Sequence, residues 1–380
     1  MSPDLRIAQV ANFVGPTSGG MRTAVEALRE RYTRAGARCL LVSPGARDTM
    51  ERTASGVHVQ LRSPQVSGGY RLIVEPWRVT RLLEQFAPTS VEISDKSTLL
   101  PVARWANRAG VGCVLFSHER LDAMLALRLG SRTGVNTGIR TGVDAFNRAV
   151  TNRFDAIVVT SRYAAREFAK QASTRTHRIP LGVDLHVFRP RIAPRQSDGV
   201  LRLVHAGRLS REKSPDLAVA AARELHRRGV RVRLDVFGVG PMLAKLRRLA
   251  DGAPVVFHGH IDGRPALAAR LAAADIALSV CPGETFGLSI LEALAVGTPV
   301  VTADSGGGRE LLDASSGDWG RPDPESLADA VLRIAARDIA STRAAARRRA
   351  EQYDWSVTAR SMLSVHHEVA FGSQGLASTG

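Results

Sequence analysis

Leu201-Arg-Leu-Val-His205 runs directly into Ala206-Gly207-Arg208-Leu209-Ser210-Arg211-Glu212-Lys213, after which Leu217, Ala221 and Leu225 recur at helical spacing. A short apolar run, a glycine-containing turn and a 3.6-period segment make one strand–loop–helix unit. The unit repeats in both directions. Downstream, Val232–Phe237, Val255–His258, Ile276–Val280 and Pro299–Thr302 read as strands. Upstream, so do Leu5–Ala11, Arg38–Ser43, Val57–Leu61, Ser90–Ile93, Val111–Phe116 and Ala156–Thr160. Met21, Val25, Leu28 and Tyr32 mark the helix after the first strand. Such alternation builds parallel sheets covered on both faces. The fold class is therefore α/β.

A chain of 380 residues is too long for one compact core. The alternation restarts near residue 200, after a Pro- and Arg-rich, aperiodic stretch from Ile179 to Arg195 that reads as the connection between two doubly wound domains. Two such sheets are expected to face each other across a deep cleft, with ligands at the loops on their carboxyl ends. The Gly/Ser-rich residues after Gly372 read as a disordered tail.

The formal net charge is +16. Residues 1–190 carry 27 Lys+Arg against 15 Asp+Glu, or +12, and the remainder 25 against 21, or +4. A basic first half implies an anionic partner such as a lipid surface, a nucleic acid or a phosphorylated substrate. Only four of the 52 basic residues are lysine, which marks any lysine at a motif position. The cysteines, Cys39, Cys113 and Cys281, are odd in number and lie in or beside apolar runs, the pattern of reduced, buried thiols in the cytoplasm. No run of about 18 apolar residues occurs, and Met1-Ser2-Pro3-Asp4 lacks the layout of a signal peptide.

Five loops carry candidate chemistry. The strongest is Pro282-Gly-Glu284-Thr-Phe-Gly-Leu-Ser-Ile-Leu-Glu292. Glu284 lies in a strand-end loop and Glu292 about one turn into the next helix, where a carboxylate among apolar residues needs hydrogen-bond donors such as paired ribose hydroxyls. The helix start at Gly287-Leu288 turns free N–H groups toward the same place. The alternative is a pair of acids that merely complement the helix dipole. In the Gly207–Lys213 loop, Arg208 and Lys213 can clamp a diphosphate, with Arg211 and Glu212 a solvated charged pair. Gly15-Pro-Thr-Ser-Gly19-Gly20 can bring backbone N–H groups to a phosphate, but Met21-Arg22 replaces the Lys-Ser/Thr of a nucleotide-triphosphate loop. It can equally be a tight turn. Gly238-Val-Gly240-Pro241 lacks the third glycine of a dinucleotide fingerprint and reads as a turn into a helix. His118, in Ser117-His-Glu-Arg120-Leu-Asp122, stands at a strand's carboxyl end and is either structural or a site histidine.

No two aspartates stand at i and i+2, so an Asp-x-Asp metal clamp is missing. There is also no Cys/His cluster, no Gly-x-Ser-x-Gly elbow and no aromatic-basic nucleic-acid platform. A basic nucleic-acid-binding protein and a nucleotide-sugar epimerase or hydrolase stand as the rival readings, the first contradicted by the glutamate pair, which repels phosphates.

With these residues in hand, the chain resembles the retaining GT-B glycosyltransferases of family four. The features are the pair Glu284/Glu292, the Gly207-Arg208…Lys213 loop and Pro180-Leu-Gly-Val-Asp184. The segments Val10–Thr23, Gly68-Gly-Tyr70 and Ser117–Asp122 look like those of actinobacterial GDP-mannose-dependent phosphatidylinositol mannosyltransferases. The resemblance implies an N-terminal acceptor domain over 1–185, a C-terminal nucleotide-sugar domain over 186–355, and a closing helix, about 356–370, packed back on the first. It implies Arg208 and Lys213 on the diphosphate, Glu292 on the ribose, Glu284 on the 3-hydroxyl side of the sugar, and His118 near the sugar's 6-hydroxyl. Gly19, Gly20, Phe286, Gly287 and Leu288 would line the donor, and His260 and Ile261 the base. Tyr70, Arg120, Arg128 and Arg132 would meet the phospholipid acceptor and an anionic membrane surface. The implied co-substrate is GDP-mannose, with no metal, no other cofactor and no nucleic acid. The implied location is the inner face of the plasma membrane, reached peripherally. In the stretch 120–153, Leu121, Met124, Leu125 and Leu127 can form the apolar side of an interfacial helix.

Overall fold

The computed structural model describes residues 4–12, 14, 19–66, 70–118, 120, 133–169, 175–191 and 198–372, with the backbone alone over 133–140. The chain divides into two compact units. The described residues up to Pro180, together with those from Trp355 onward, form the first, and Leu181–Asp354 form the second.

The first unit holds an eight-stranded sheet in the order β3-β4-β2-β1-β5-β6-β7-β8. The strands are β1 Arg6–Val10, β2 Arg38–Gly45, β3 Thr49–Thr53, β4 Gly56–Arg62, β5 Ser90–Ile93, β6 Gly112–Ser117, β7 Ala156–Val159 and β8 Arg175–Arg178. All neighbours pair parallel except β3, which turns back antiparallel on β4. The register puts Ser117 beside Val159 and Val159 beside Arg178, so the carboxyl ends of β6, β7 and β8 share one rim. The core is built from both faces of these strands and from helices such as Gly20–Arg34, whose Val25, Leu28 and Tyr32 are buried.

The closing helix, Trp355–Phe371, belongs to this first unit. It buries Trp355, Met362 and Val365, each fully buried apolar side chain contributing about 1.5–3 kcal/mol. It also delivers His366 to a buried polar cluster. Glu92 on β5, only 2% exposed, accepts hydrogen bonds from Gln9 Nε2 (3.1 Å) and Tyr32 Oη (3.0 Å) and pairs with His366 Nε2 at 3.2 Å. His366 Nδ1 lies 2.8 Å from Ser90 Oγ. Burial alone would raise the Glu92 carboxyl, but His366, Gln9 and Tyr32 outweigh it and hold the group below its ordinary value. The Tyr32 phenol is pushed well up by burial and by Glu92.

The second unit holds a six-stranded, wholly parallel sheet in the order β11-β10-β9-β12-β13-β14. Its strands are β9 Leu201–Ala206, β10 Val232–Phe237, β11 Val255–Gly259, β12 Ile276–Ser279, β13 Val300–Ala303 and β14 Gly317–Gly320. The stretch Ile179–Arg191 is not a loose linker. Ile179, Leu181, Val183 and Phe188 are buried, and Val183 N–H bonds the Tyr353 carbonyl at 2.8 Å.

Candidate active site

The second unit brings Lys213 and Glu284, two charged residues singled out in the sequence, together from the loops after β9 and β12. Lys213 Nζ donates to both oxygens of Glu284, at 3.0 and 2.8 Å, across 71 positions of sequence. The sequence reading gave these two residues separate ligand parts; in the structure they hold each other. Glu212, read from the sequence as a solvated charge, is exposed and also has partners. Its carboxylate lies 3.7 Å from Arg208 and accepts from Ser210 Oγ at 2.6 Å, and its carbonyl accepts from Cys281 Sγ at 2.9 Å. Burial lowers the Arg208 guanidinium and Glu212 opposes that shift.

Two glycine pairs allow these loops to approach. A Cβ at Gly238 would strike the Gly207 carbonyl, and one at Gly240 the Leu209 carbonyl. The Gly238–Pro241 turn is thus a seat for the Arg208 loop, fastened by Leu209 N–H to Val239 O at 3.0 Å. Behind Glu284, a Cβ at Gly306 would come within 2.9 Å of Pro282 O, and one at Gly308 within 2.7 Å of Ile290 Cδ1. Gly307 N–H bonds the Glu284 carbonyl at 2.6 Å.

The helix Leu288–Ala295 begins at Gly287, whose φ of +105° favours glycine, and no side chain caps it. Its first N–H groups are therefore available to an anion beside the Lys213–Glu284 pair. Phe286 is buried edge-on to Tyr353, with ring centroids 6.5 Å apart. Glu292 lies one turn into this helix, half-buried. Burial pushes its carboxyl up to about 7 against the pull of Arg264, whose guanidinium lies over Phe188. His260 is exposed and Ile261 half-buried on the loop after β11.

In the first unit, His118 follows β6 and leans on Phe116, with ring centroids 4.2 Å apart. Among the described residues its buried Nε2 has no hydrogen-bond partner, and burial drives the imidazole down to about 4, so it is neutral at physiological pH. Gly19 and Gly20 are exposed at the start of the Gly20–Arg34 helix, and a Cβ at Gly19 would meet nothing within 4 Å. Arg120 lies over the Tyr163 ring at 4.3 Å and donates to its carbonyl, so its charge is engaged within the unit. Tyr70 is half-buried, its carbonyl accepting from Val66 N–H at 2.7 Å. Sequence reasoning missed the polar set at the carboxyl ends of β1 and β5. There Asn12 Nδ2 bonds Asp95 at 2.9 Å, and Lys96 Nζ lies 2.5 Å from Glu167. The residues 15–18, 67–69, 119 and 121–132, including Arg128, Arg132 and the proposed apolar side of the interfacial helix, lie outside the described residues, as does the tail 373–380.

A family model described as glycosyl transferases group 1 matches residues 201–337, and one described as a glycosyl transferase 4-like domain matches 19–182. The chain is 40% identical over 373 residues, covering 95% of each protein, to a GDP-mannose-dependent alpha-(1-6)-phosphatidylinositol dimannoside mannosyltransferase of Mycobacterium tuberculosis. The chain belongs to the group 1 glycosyltransferases. It is also 27% identical, over 81% of its length and 82% of the other's, to a GDP-mannose-dependent alpha-mannosyltransferase of Mycolicibacterium smegmatis. Among solved structures, sucrose-phosphate synthase from Thermosynechococcus elongatus superposes with a TM-score of 0.78 at 21% identity, over 96% of this chain and 99% of that one. The GT-B fold expected from the sequence is the fold of this glycosyltransferase. Among the described residues no helix is long and apolar enough to cross a membrane.

Proposed function

We propose that this glycosyltransferase moves mannose from GDP-mannose to a phosphatidylinositol mannoside, with retention at the anomeric carbon and without a metal. The observation that carries the reading is the 40% identity, over 95% of both chains, with the dimannoside mannosyltransferase. The geometry of the second unit supports the chemistry. As the anomeric carbon becomes oxocarbenium-like, charge grows on the departing diphosphate. Arg208, Lys213 and the uncapped N–H groups at Leu288 would stabilise that charge. Glu292 would accept from the ribose hydroxyls. Lys213 holds both Glu284 oxygens, which makes Glu284 a poor nucleophile and a suitable acceptor for a sugar hydroxyl. Attack by the acceptor hydroxyl on the face the diphosphate leaves, with its proton passing to that phosphate, fits better than a covalent intermediate. His118, neutral, would donate to or accept from the sugar without adding charge.

The acceptor reading also draws on the +12 charge of residues 1–190. Anionic headgroups attract such arginines at about 1 kcal/mol each near a surface. Arg148 on the helix Thr133–Thr151 is exposed, and that helix docks on the core through Val143, Asn147 and Val150. The deciding experiment is a donor screen that follows nucleoside diphosphate release with and without membrane lipid extract. GDP release from GDP-mannose that requires the extract is the expected result. Turnover of a uridine-linked sugar onto a soluble polyol would overturn it. Co-sedimentation with anionic but not neutral vesicles, reversed by salt, checks the membrane surface separately.

A further inference from the structure

Seven large apolar side chains are exposed among the described residues, and three of them, Met50, Val74 and Trp77, stand at 61%, 51% and 54% exposure in one corner of the first unit. Met50 lies on β3, the antiparallel edge strand, opposite Val59 of β4. Residues opposite each other in such a ladder share a face. Val59 belongs to the same core cluster as Val79 and Leu83 of the helix Pro76–Phe86. Met50 is therefore on the face that this helix covers, and yet is exposed. Val74 and Trp77 lie at the start of that helix. Arg78, beside Trp77, reaches Asp48, two residues before Met50, at 2.9 Å, which closes the corner. The corner also lies on the rim that carries His118. Ile73 N–H bonds Asn12 Oδ1 at 2.9 Å, and Asn12 follows the carboxyl end of β1 as His118 follows that of β6. Four strand spacings of about 4.8 Å separate β4 from β6, about 19 Å along the rim.

The chemistry of the corner selects its occupant. Residues 45–81 carry six arginines against three acids, or +3. Arg78 holds both Asp48 and Glu75, the latter at 3.3 Å, so the acids beside the apolar trio are answered and the surplus is positive. An indole, with an apolar body and one N–H, suits the headgroup region of a bilayer, where tryptophan is enriched. A protein partner fits less well. Three side chains exposed by about half present on the order of 300 Å², against about 800 Å² per partner in a stable interface. We infer that Met50, Val74 and Trp77 enter the headgroup region of an anionic bilayer and hold this rim against the surface from which the acceptor is drawn. The choice of a bilayer rests on the lipid-acceptor reading above; the exposed apolar corner does not.

The test mixes the full chain with phosphatidylcholine vesicles, with and without phosphatidylglycerol, and with a brominated phosphatidylcholine that quenches indoles inside the bilayer. Of the four tryptophans, Trp77 is exposed, Trp105 and Trp319 are half-buried and Trp355 is buried. Emission should be quenched on brominated anionic vesicles. The quenching should vanish in Trp77→Phe and persist in Trp105→Phe. The vesicle partition coefficient should fall about tenfold or more in Met50→Ser with Trp77→Ser. It should stay within about twofold in Ile339→Ser with Val357→Ser, which removes two exposed apolar side chains elsewhere. Equal losses in both double variants would overturn the corner as the contact. Binding of wild type to anionic vesicles without Trp77-dependent quenching would also overturn it and leave the membrane reading standing. No binding to either vesicle would overturn both, and self-association abolished by the first double variant would then assign the corner to a second copy of the chain. Transfer of mannose to acceptor lipid in detergent micelles is measured alongside. Its failure would overturn the lipid-acceptor reading, while the quenching still judges the corner.

Discussion

Lys213 and Glu284 make one bidentate contact, but removing either end should have unequal consequences for stability. The Lys213 side chain is 42% exposed and that of Glu284 13%. In Glu284→Gln the remaining ammonium can be solvated where it stands, so the loss should resemble that of an exposed ion pair, about 0–1 kcal/mol. In Lys213→Met a largely buried carboxylate loses its cation and little water can replace it, which costs about 1–3 kcal/mol. Catalysis should not follow that order. In the proposed mechanism both groups act on the donor, and losing a preorganised charge or hydrogen-bond partner costs about 10²–10³ in turnover. Urea denaturation of both single variants and the double variant, with turnover measured on the same preparations, gives both quantities. Glu284→Gln should therefore be nearly as stable as wild type and strongly impaired. If it loses as much stability as Lys213→Met, the exposure argument fails. If it turns over within about threefold of wild type, Glu284 does not act on the sugar.

Turnover should survive a chelator, and activity lost to chelation and restored by magnesium or manganese would refute the assignment of diphosphate charge to Arg208, Lys213 and the 288–295 helix. Glu292, pushed up to about 7, should bind the ribose best when ionised. The preference for GDP over 2′-deoxy-GDP should therefore grow from pH 6 to pH 8, the comparison cancelling titration of the phosphates. Glu292→Gln should flatten that rise, and a pH-independent preference in wild type would remove Glu292 from the ribose. His366→Ala strips the buried Glu92 of one of its three hydrogen-bond partners and should cost about 1–3 kcal/mol in urea unfolding. Because the Glu92 carboxyl is held low in the folded state, wild type keeps that contribution above the ordinary glutamate range, near 4.5, and loses it as pH falls through the depressed value. The variant should show a flatter acid limb; an unchanged limb would place the acid sensitivity elsewhere.

Buried parallel strands declare themselves as apolar runs, and Ser90–Ile93 and Val232–Phe237 were legible to the residue. The strands that escaped, Thr49–Thr53, Arg175–Arg178 and Gly317–Gly320, lie at sheet edges and form through backbone pairing with little apolar patterning. The site loops were legible because strand-to-helix turns place ligand groups at carboxyl ends. The contacts between loops were not. Lys213 meets Glu284 across 71 positions, and His366 meets Glu92 across 274. Gly238 read as an ordinary turn residue and Gly306 drew no reading, because a close approach needs a second backbone that local sequence does not show.

The closing helix has a consequence for how the protein can be made. The second unit is an insertion within the first: the chain enters it at Leu181 and leaves it at Asp354, and Val183 pairs with Asp354. Thr358 Oγ1 bonds the Pro180 carbonyl at 2.9 Å, so the interrupted ends of the first unit already touch. During synthesis on the ribosome, the inserted unit is complete and can fold while the earlier one still lacks His366 and leaves Glu92 with only Gln9 and Tyr32 as partners. A stop codon near residue 350 should therefore damage the amino-terminal half, far away in sequence. A protein that joins Pro180 to Trp355 through a short linker should fold without the insert, and limited proteolysis of that chimera against a plain 1–180 fragment would reveal whether it does.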